Sequence, residues 1–136
     1  MGMRDGTLRV YSYTLQKITL TYSKNISKEW IEDLKFSPDG SKLAVGSHDN
    51  FIYVFDVLNA AMTFKKMGVS SSFITHLDWS IDSQSIRTND GSYELLYYDV
   101  TTGKQLTTGA SQFRDEPWAT NSCALSWPTQ GVWAPG

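Results

Sequence analysis

The sequence predicts an all-β chain made of repeated units of short antiparallel strands, and two observations carry this prediction. The first is residues 29–57, in which apolar runs are separated by clusters of turn-forming residues. The second is that residues 72–100 match this segment without a gap at a shift of 43 residues. A period of about 40–45 residues with four strands per unit is typical of the blades of a WD-repeat β-propeller.

The first unit contains three clear strands joined by two tight turns. Its first strand covers residues 31–36 and ends at a Ser-Pro-Asp-Gly turn at 37–40, where proline and glycine occupy preferred positions. Residues 42–46 form the second strand. Residues 51–55 form the third, whose apolar and aromatic side chains on both faces predict a strand covered from both sides. Residues 60–66 form a weaker outer strand.

Further strands are predicted on either side of this unit. Residues 7–11 match the end of a third strand, and residues 18–22 have the β-propensity of an outer strand. In the second unit the outer strand is predicted at residues 104–108. The chain therefore divides into the end of a blade (1–24), a complete blade (25–68), a second complete blade (69–110) and an irregular tail (111–136). About three blades make an incomplete propeller.

Apolar positions shared by the two units predict the core. Leu34 corresponds to Leu77, and Phe36 corresponds to Trp79. The side chains that we expect to be buried are Leu34, Phe36, Val45, Ile52, Val54, Leu77, Trp79, Leu95 and Tyr97.

Composition and charge exclude several classes of function. The net charge of −2 argues against nucleic acid and against an anionic membrane as partners, because both need a basic surface. The single cysteine, Cys123, excludes an internal disulfide and favours a reducing compartment. The sequence contains no apolar run of the length needed to cross a membrane.

The second unit and the tail carry a more specific signal. Residues 71–80 (SSFITHLDWS) are followed by 93–99 (YELLYYD), 114–120 (RDEPWAT), 123–125 (CAL) and 131–133 (GVW). In this order they resemble the echinoderm microtubule-associated protein-like family. The resemblance implies a place in the second, C-terminal propeller of a longer chain. It also implies microtubules and soluble tubulin as partners, and a location in the cytoplasm and the cytoskeleton.

The chain departs from the usual repeat at two positions in each unit. The Trp-Asp pair is replaced by Phe55-Asp56 and by Tyr98-Asp99. The Gly-His pair is replaced by Ile26-Ser27, and by Val69-Ser70 in the second unit. We therefore expect the buried network that links this histidine to a turn aspartate to be incomplete.

The residue pattern gives no support to an enzyme. His48, His76 and Cys123 lack the spacing of a metal site or of a nucleophilic pair. The aspartates stand at turns and strand ends, where such residues bind nearby backbone groups. We expect no catalytic residue, no cofactor and no metal ion.

Loops at one end of the strands are the better candidates for a binding surface. Loops on a rigid scaffold often carry recognition, and aromatic residues are enriched where binding energy concentrates. The alternative interpretation is that these aromatic residues only pack at the blade entrances. The candidate residues are Trp30, His48, Asn50, Phe73 and Tyr93, with Arg114 and Trp118 of the tail as a second patch.

Two functions remain open at this stage. The first is a non-catalytic interaction scaffold that the family resemblance associates with microtubules and tubulin. The second is a generic WD-repeat adaptor in another protein complex. The acidic balance of the chain slightly favours this second function, because tubulin is itself acidic and would repel the chain. Because about three blades leave apolar faces uncovered, we also expect a fragment of a longer propeller that self-associates through its open blade edges.

Overall fold

The computed structural model describes residues 2–13, 18–58, 63–68, 70, 72–113 and 116–123. Nine strands and one single-turn helix lie in these ranges. The strands are β1 (Thr7–Tyr13), β2 (Ile18–Asn25), β3 (Ile31–Phe36), β4 (Lys42–Ser47), β5 (Ile52–Asp56), β6 (Phe64–Met67), β7 (Ile74–Trp79), β8 (Ser85–Asp90) and β9 (Leu95–Asp99), and the helix is α1 (Gly109–Gln112).

The strands form three antiparallel sheets in which each strand pairs with its neighbour in the sequence. We call β1–β2 the leading sheet, β3–β4–β5–β6 the first blade and β7–β8–β9 the second blade. All three sheets are open, with no strand shared between them. The prediction of an all-β chain of propeller blades is confirmed, and the boundaries of the four segments remain a prediction.

The core lies between consecutive sheets. One cluster fills the space between the two blades and includes Ala44, Leu77 and Trp79, while a second lies against the leading sheet and includes Leu8 and Phe55. Of the nine residues predicted to be in the core, Leu34 and Leu95 are half-buried. Six are buried, namely Val45, Ile52, Val54, Leu77, Trp79 and Tyr97.

The prediction that Phe36 is buried is wrong, because its side chain is 54% exposed. The corresponding Trp79 packs against the first blade, where its indole Nε1 donates to the backbone oxygen of Lys35 at 2.9 Å. In front of Phe36, the residues that the structure describes form only the two-stranded leading sheet, which leaves the Phe36 side chain partly uncovered. Phe36 therefore borders a shallow groove that it shares with Val10 and Tyr11.

The outer strand predicted at residues 104–108 is also wrong. This segment makes one isolated bridge, between Gln105 and Tyr98, and the Leu106 amide donates to the carbonyl oxygen of Tyr97. The chain then enters α1, which lies directly on Tyr97: a methyl group at Gly109 would lie 2.4 Å from the tyrosine Cγ. This close packing takes the chain away from β9 before a strand can form.

Candidate protein-interaction surface

Three of the predicted site residues form one row of contacting rings at the same end of the strands. The ring centroids of Trp30 and His48 are 5.3 Å apart with an interplanar angle of 25°. The centroids of His48 and Phe73 are 4.7 Å apart at 33°. We call these three residues the aromatic row, and it joins the first blade to the second.

The repeat itself places these side chains. Trp30 immediately precedes β3, and Phe73 precedes β7 at the same position of the next unit. His48 follows β4, and its amide donates to the carbonyl oxygen of Trp30 at 2.8 Å. The residue that corresponds to His48 in the second unit is Gly91, whose amide donates to the carbonyl oxygen of Phe73 at 2.9 Å. In both blades, the residue after the second strand thus donates its amide to the residue before the first strand, and this shared hydrogen bond positions the row.

Gly91 also determines where the Phe73 ring can lie. A methyl group at Gly91 would lie 2.6 Å from two ring atoms of Phe73, so a side chain there would force the ring to move. The absence of a side chain at Gly91 therefore leaves the space that the Phe73 ring occupies. From there the ring reaches back to His48 rather than stacking within its own blade.

Charged groups flank the row. The guanidinium of Arg4 lies 4.7 Å from the centroid of Trp30, a distance at which a cation is attracted to the ring face. His48 Nε2 lies 3.0 Å from a carboxylate oxygen of Glu32, and this contact becomes an ion pair when the imidazole is protonated. Trp30 is 43% exposed and Phe73 is 41% exposed. The row therefore presents apolar area to solvent between charges of both signs.

Asn50 and Tyr93 occupy the turns beside the row. Asn50 has a φ of 74°, and its carbonyl oxygen accepts a hydrogen bond from the Ser70 amide, so its backbone also connects the two blades. Tyr93 has a φ of 63° and is 82% exposed. A positive φ is unfavourable for a tyrosine, and this backbone holds the ring out in solvent. Among the described residues, Tyr93 makes no ring contact with the row.

The second predicted patch has a different character. Trp118 is only 6% exposed and lies among Tyr97, Phe113 and the guanidinium of Arg87. Its burial favours a packing role over an exposed contact. Arg114 lies outside the described residues.

The departures from the usual repeat are compensated by hydroxyl groups. Ser27, which replaces the histidine, lies 2.9 Å from Ser47 between their hydroxyl oxygens. In the second blade, Ser70 donates its hydroxyl to the carboxylate of Asp90, which stands at the position of Ser47. Asp90 also accepts a hydrogen bond from the amide of Ser92. It therefore binds the turn of the second blade, as Asp49 binds the corresponding turn of the first blade through the amide of Phe51. A comparison of these positions in the sequence would have shown that Ser47 of the first unit corresponds to Asp90 in the second.

A buried ion pair that sequence reasoning missed fixes the tail to the second blade. Asp78 is fully buried and lies 3.0 Å from Nε of Arg87. Its carboxylate also accepts bonds from the amides of Ser122 and Cys123 and from the Thr120 hydroxyl. Burial tends to raise the pKa of Asp78, but these hydrogen bonds outweigh it and lower the pKa to about 2. The signal in the sequence was an aspartate between Leu77 and Trp79, two residues that were predicted to be buried.

The residues that could have suggested chemistry are engaged elsewhere. His76 contacts the hydroxyl of Thr75, and Cys123 is buried, which raises the pKa of its thiol. Within the described ranges, no three histidine, cysteine, aspartate or glutamate side chains come together as metal ligands would. The same part of the chain contains no helix with the length and apolar character to cross a membrane.

Comparison with known proteins gives one consistent result. The family described as the second β-propeller of echinoderm microtubule-associated protein matches residues 1–136. The chain is 43% identical over 139 residues to the 77 kDa echinoderm microtubule-associated protein of Strongylocentrotus purpuratus, covering 100% of the chain and 20% of that protein. It is 47% identical over 111 residues to echinoderm microtubule-associated protein-like 2 of Homo sapiens, covering 79% of the chain and 17% of that protein. The chain thus spans a fifth or less of the length of these relatives.

Proposed function

We propose, from the premise that the chain belongs to the family of second β-propellers of echinoderm microtubule-associated proteins, that it is a non-catalytic interaction scaffold. The names of its relatives give the context, since each is called a microtubule-associated protein or is named after one. In this proposal the chain works in the cytoplasm as part of the cytoskeleton, with tubulin or microtubules as its partner. It contributes a binding surface and no reaction.

The aromatic row is the observation that supports this proposal. Exposed tryptophan and phenylalanine side chains are the kind that concentrate binding energy in protein interfaces, above all when neighbouring residues hold them in place. Trp30 stacks on His48 and Phe73 packs against it at a tilt, so little conformational entropy remains to be lost when a partner covers the two rings. Arg4 and Glu32 at the margins would orient the partner through charge.

The rigidity of the sheets below makes the row suitable as a docking surface. Trp30 and Phe73 each precede the first strand of a blade, and those strands, β3 and β7, pack against each other. A partner that contacts both rings therefore binds both blades at once. Loops carried on such a scaffold are the usual location of recognition in repeat folds.

Co-sedimentation with polymerised microtubules tests the proposal. The chain and its Trp30→Ala and Phe73→Ala variants would be pelleted with microtubules over a range of tubulin concentrations. Ile81→Ala is the matched control, because Ile81 is a similarly exposed apolar residue in the turn after β7, at the opposite end of that strand. We expect each row variant to weaken binding about tenfold and the control to bind like the parent chain.

The proposal fails if all four proteins pellet equally, or if none pellets. Circular dichroism melts of each variant would verify that weaker binding does not arise from unfolding. Binding of the parent chain to a different cytoplasmic complex, with the same loss in the row variants, would support the adaptor function instead of the microtubule function.

A further inference from the structure

A second surface with a different chemistry lies between the leading sheet and the first blade. A groove of about 330 Å³ opens there, and its lining includes the lysines Lys28 and Lys66 and the aromatic residues Phe51 and Tyr53. We call it the lysine groove. It shares no side chain with the aromatic row.

The alternation of β6 directs one of its two lysines into the groove. Lys66 Nζ lies 3.9 Å from the ring centroid of Phe51 and 5.7 Å from that of Tyr53. Its neighbour Lys65 points to the opposite face, where it donates to the carbonyl oxygen of Thr101 in the second blade. Successive side chains of a strand face opposite ways, so this difference follows from the strand itself.

A third lysine extends the same surface toward β2. Lys24 Nζ lies 5.1 Å from the ring centroid of Phe64, and the Phe64 ring lies 5.8 Å from that of Tyr53. The sequence of contacts from Lys24 through Phe64 and Tyr53 to Lys66 is continuous. It places ammonium groups on an aromatic surface over the width of two sheets.

The lysine groove is locally positive in a chain whose net charge is −2. The one carboxylate in its lining, that of Asp49, accepts hydrogen bonds from the Tyr53 hydroxyl and the Phe51 amide. In the part of the chain that the structure describes, Lys24, Lys28 and Lys66 form no ion pair with a carboxylate. An ammonium group that lies on a ring face still directs N–H donors outward.

We propose that the lysine groove binds an acidic, extended peptide segment of a partner protein. Its carboxylates would accept hydrogen bonds from Lys28 and Lys66, and its methylene groups would lie on the exposed edges of Phe51 and Tyr53. Charge complementarity selects this occupant, since the groove offers the two ammonium groups of Lys28 and Lys66 to one engaged carboxylate, and Lys24 on the neighbouring Phe64 ring adds a third beside it. The inference goes beyond the proposed function, because it assigns a second partner chemistry to a surface outside the aromatic row.

Fluorescence anisotropy with a labelled octaglutamate peptide tests the assignment, using the whole chain. We expect Lys66→Glu to weaken binding about tenfold, and Lys28→Glu to do so to a similar degree. Lys65→Glu is the matched control: it makes the same charge change on the adjacent residue of the same strand but on the other face. It should change the affinity by less than about threefold.

Three results would overturn the inference. One is the absence of octaglutamate binding by the parent chain. Another is an equal loss of affinity in Lys65→Glu and Lys66→Glu, which would show attraction to the net charge alone. The third is equally tight binding of an oligothymidylate of the same charge, which would show a general polyanion site. If Lys66→Glu fails to fold, Lys28→Glu provides the same comparison, because Lys28 lies in a loop outside the strands.

Discussion

The indole Nε1 of Trp79 donates a hydrogen bond to the backbone carbonyl oxygen of Lys35 at 2.9 Å, across the boundary between the two blades. The Lys35 side chain returns the contact, since its Nζ donates to the carbonyl oxygen of Leu77 at 2.8 Å. Asp33 accepts the amide of Leu77 at 3.0 Å. The first strands of consecutive blades are thus joined by polar contacts as well as by apolar packing, and the aromatic row rests on both strands.

Replacing Trp79 by phenylalanine should destabilise the chain. The substitution removes the donor to Lys35 and part of a side chain that is only 1% exposed. We expect the free energy of unfolding to fall by about 2–4 kcal/mol, from the lost hydrogen bond and the new cavity. Urea denaturation measures this directly. Phe36→Ala, at the corresponding but exposed position, should change stability by less than about 1 kcal/mol, and an equal loss in both variants would contradict the packing described here.

The buried carboxylate of Asp78 predicts a specific dependence of stability on pH. Its pKa is lowered from 3.8 to about 2 in the folded chain, so the unfolded chain takes up the proton first as the pH falls. The stabilisation is therefore complete above about pH 5 and is lost as the pH falls through about 2, with a total of about 2 kcal/mol. Asp78→Asn should cost about this amount at neutral pH, and the two proteins should converge in stability near pH 2.

Urea denaturation at several pH values between 7 and 2 checks this convergence. Asp39→Asn is the control, because hydrogen bonds from Ser37 and Ser41 also lower the pKa of this exposed carboxylate to about 2. Solvent screens Asp39, so we expect a smaller loss of the same sign. A difference between the parent chain and Asp78→Asn that stays constant from pH 7 to pH 2 would show that Asp78 contributes through its shape and not through its charge.

Local patterns in the sequence were sufficient for most of the fold. The 43-residue period placed β3, β4 and β5 and their counterparts in the second blade, because each strand is marked by its own apolar run and turn residues. The same period pairs Phe36 with the buried Trp79, and the prediction that Phe36 is also buried was wrong. Burial depends on which sheet lies opposite a strand, and a repeat within the sequence does not carry that information.

The candidate surface was predicted only as separate residues. Trp30, His48 and Phe73 lie up to 43 positions apart in the sequence, and only the packing of the blades brings their rings together. The contact of Phe73 with His48 also depends on the space left by the missing side chain at Gly91, which in the sequence is an ordinary turn glycine. The ion pair of Asp78 and Arg87 could not be predicted either, because the groups that complete it come from the irregular tail.

Self-association through the open blade edges remains a prediction, and the structure adds a further exposed apolar surface to test, the groove beside the leading sheet. Phe36 and Tyr11 are 54% and 40% exposed there, beside the apolar side chains of Val10 and Leu34. We expect light scattering to show an average mass that rises with concentration in the micromolar range, and Phe36→Glu to return the chain to a monomer. Ile81→Glu, which changes a side chain of equal exposure in the second blade, should leave association intact. A monodisperse monomer of the parent chain would contradict the prediction.

Hydrogen–deuterium exchange of the chain with and without soluble tubulin shows where the partner binds, and so tests whether the aromatic row is the docking surface. We expect tubulin binding to slow exchange in residues 30–32, 47–49 and 72–74, which carry the aromatic row. We expect no change in the turns at residues 37–41 and 80–84, at the opposite end of the strands. Protection confined to those opposite turns, or no protection at any residue, would contradict the assignment of the aromatic row as the docking surface.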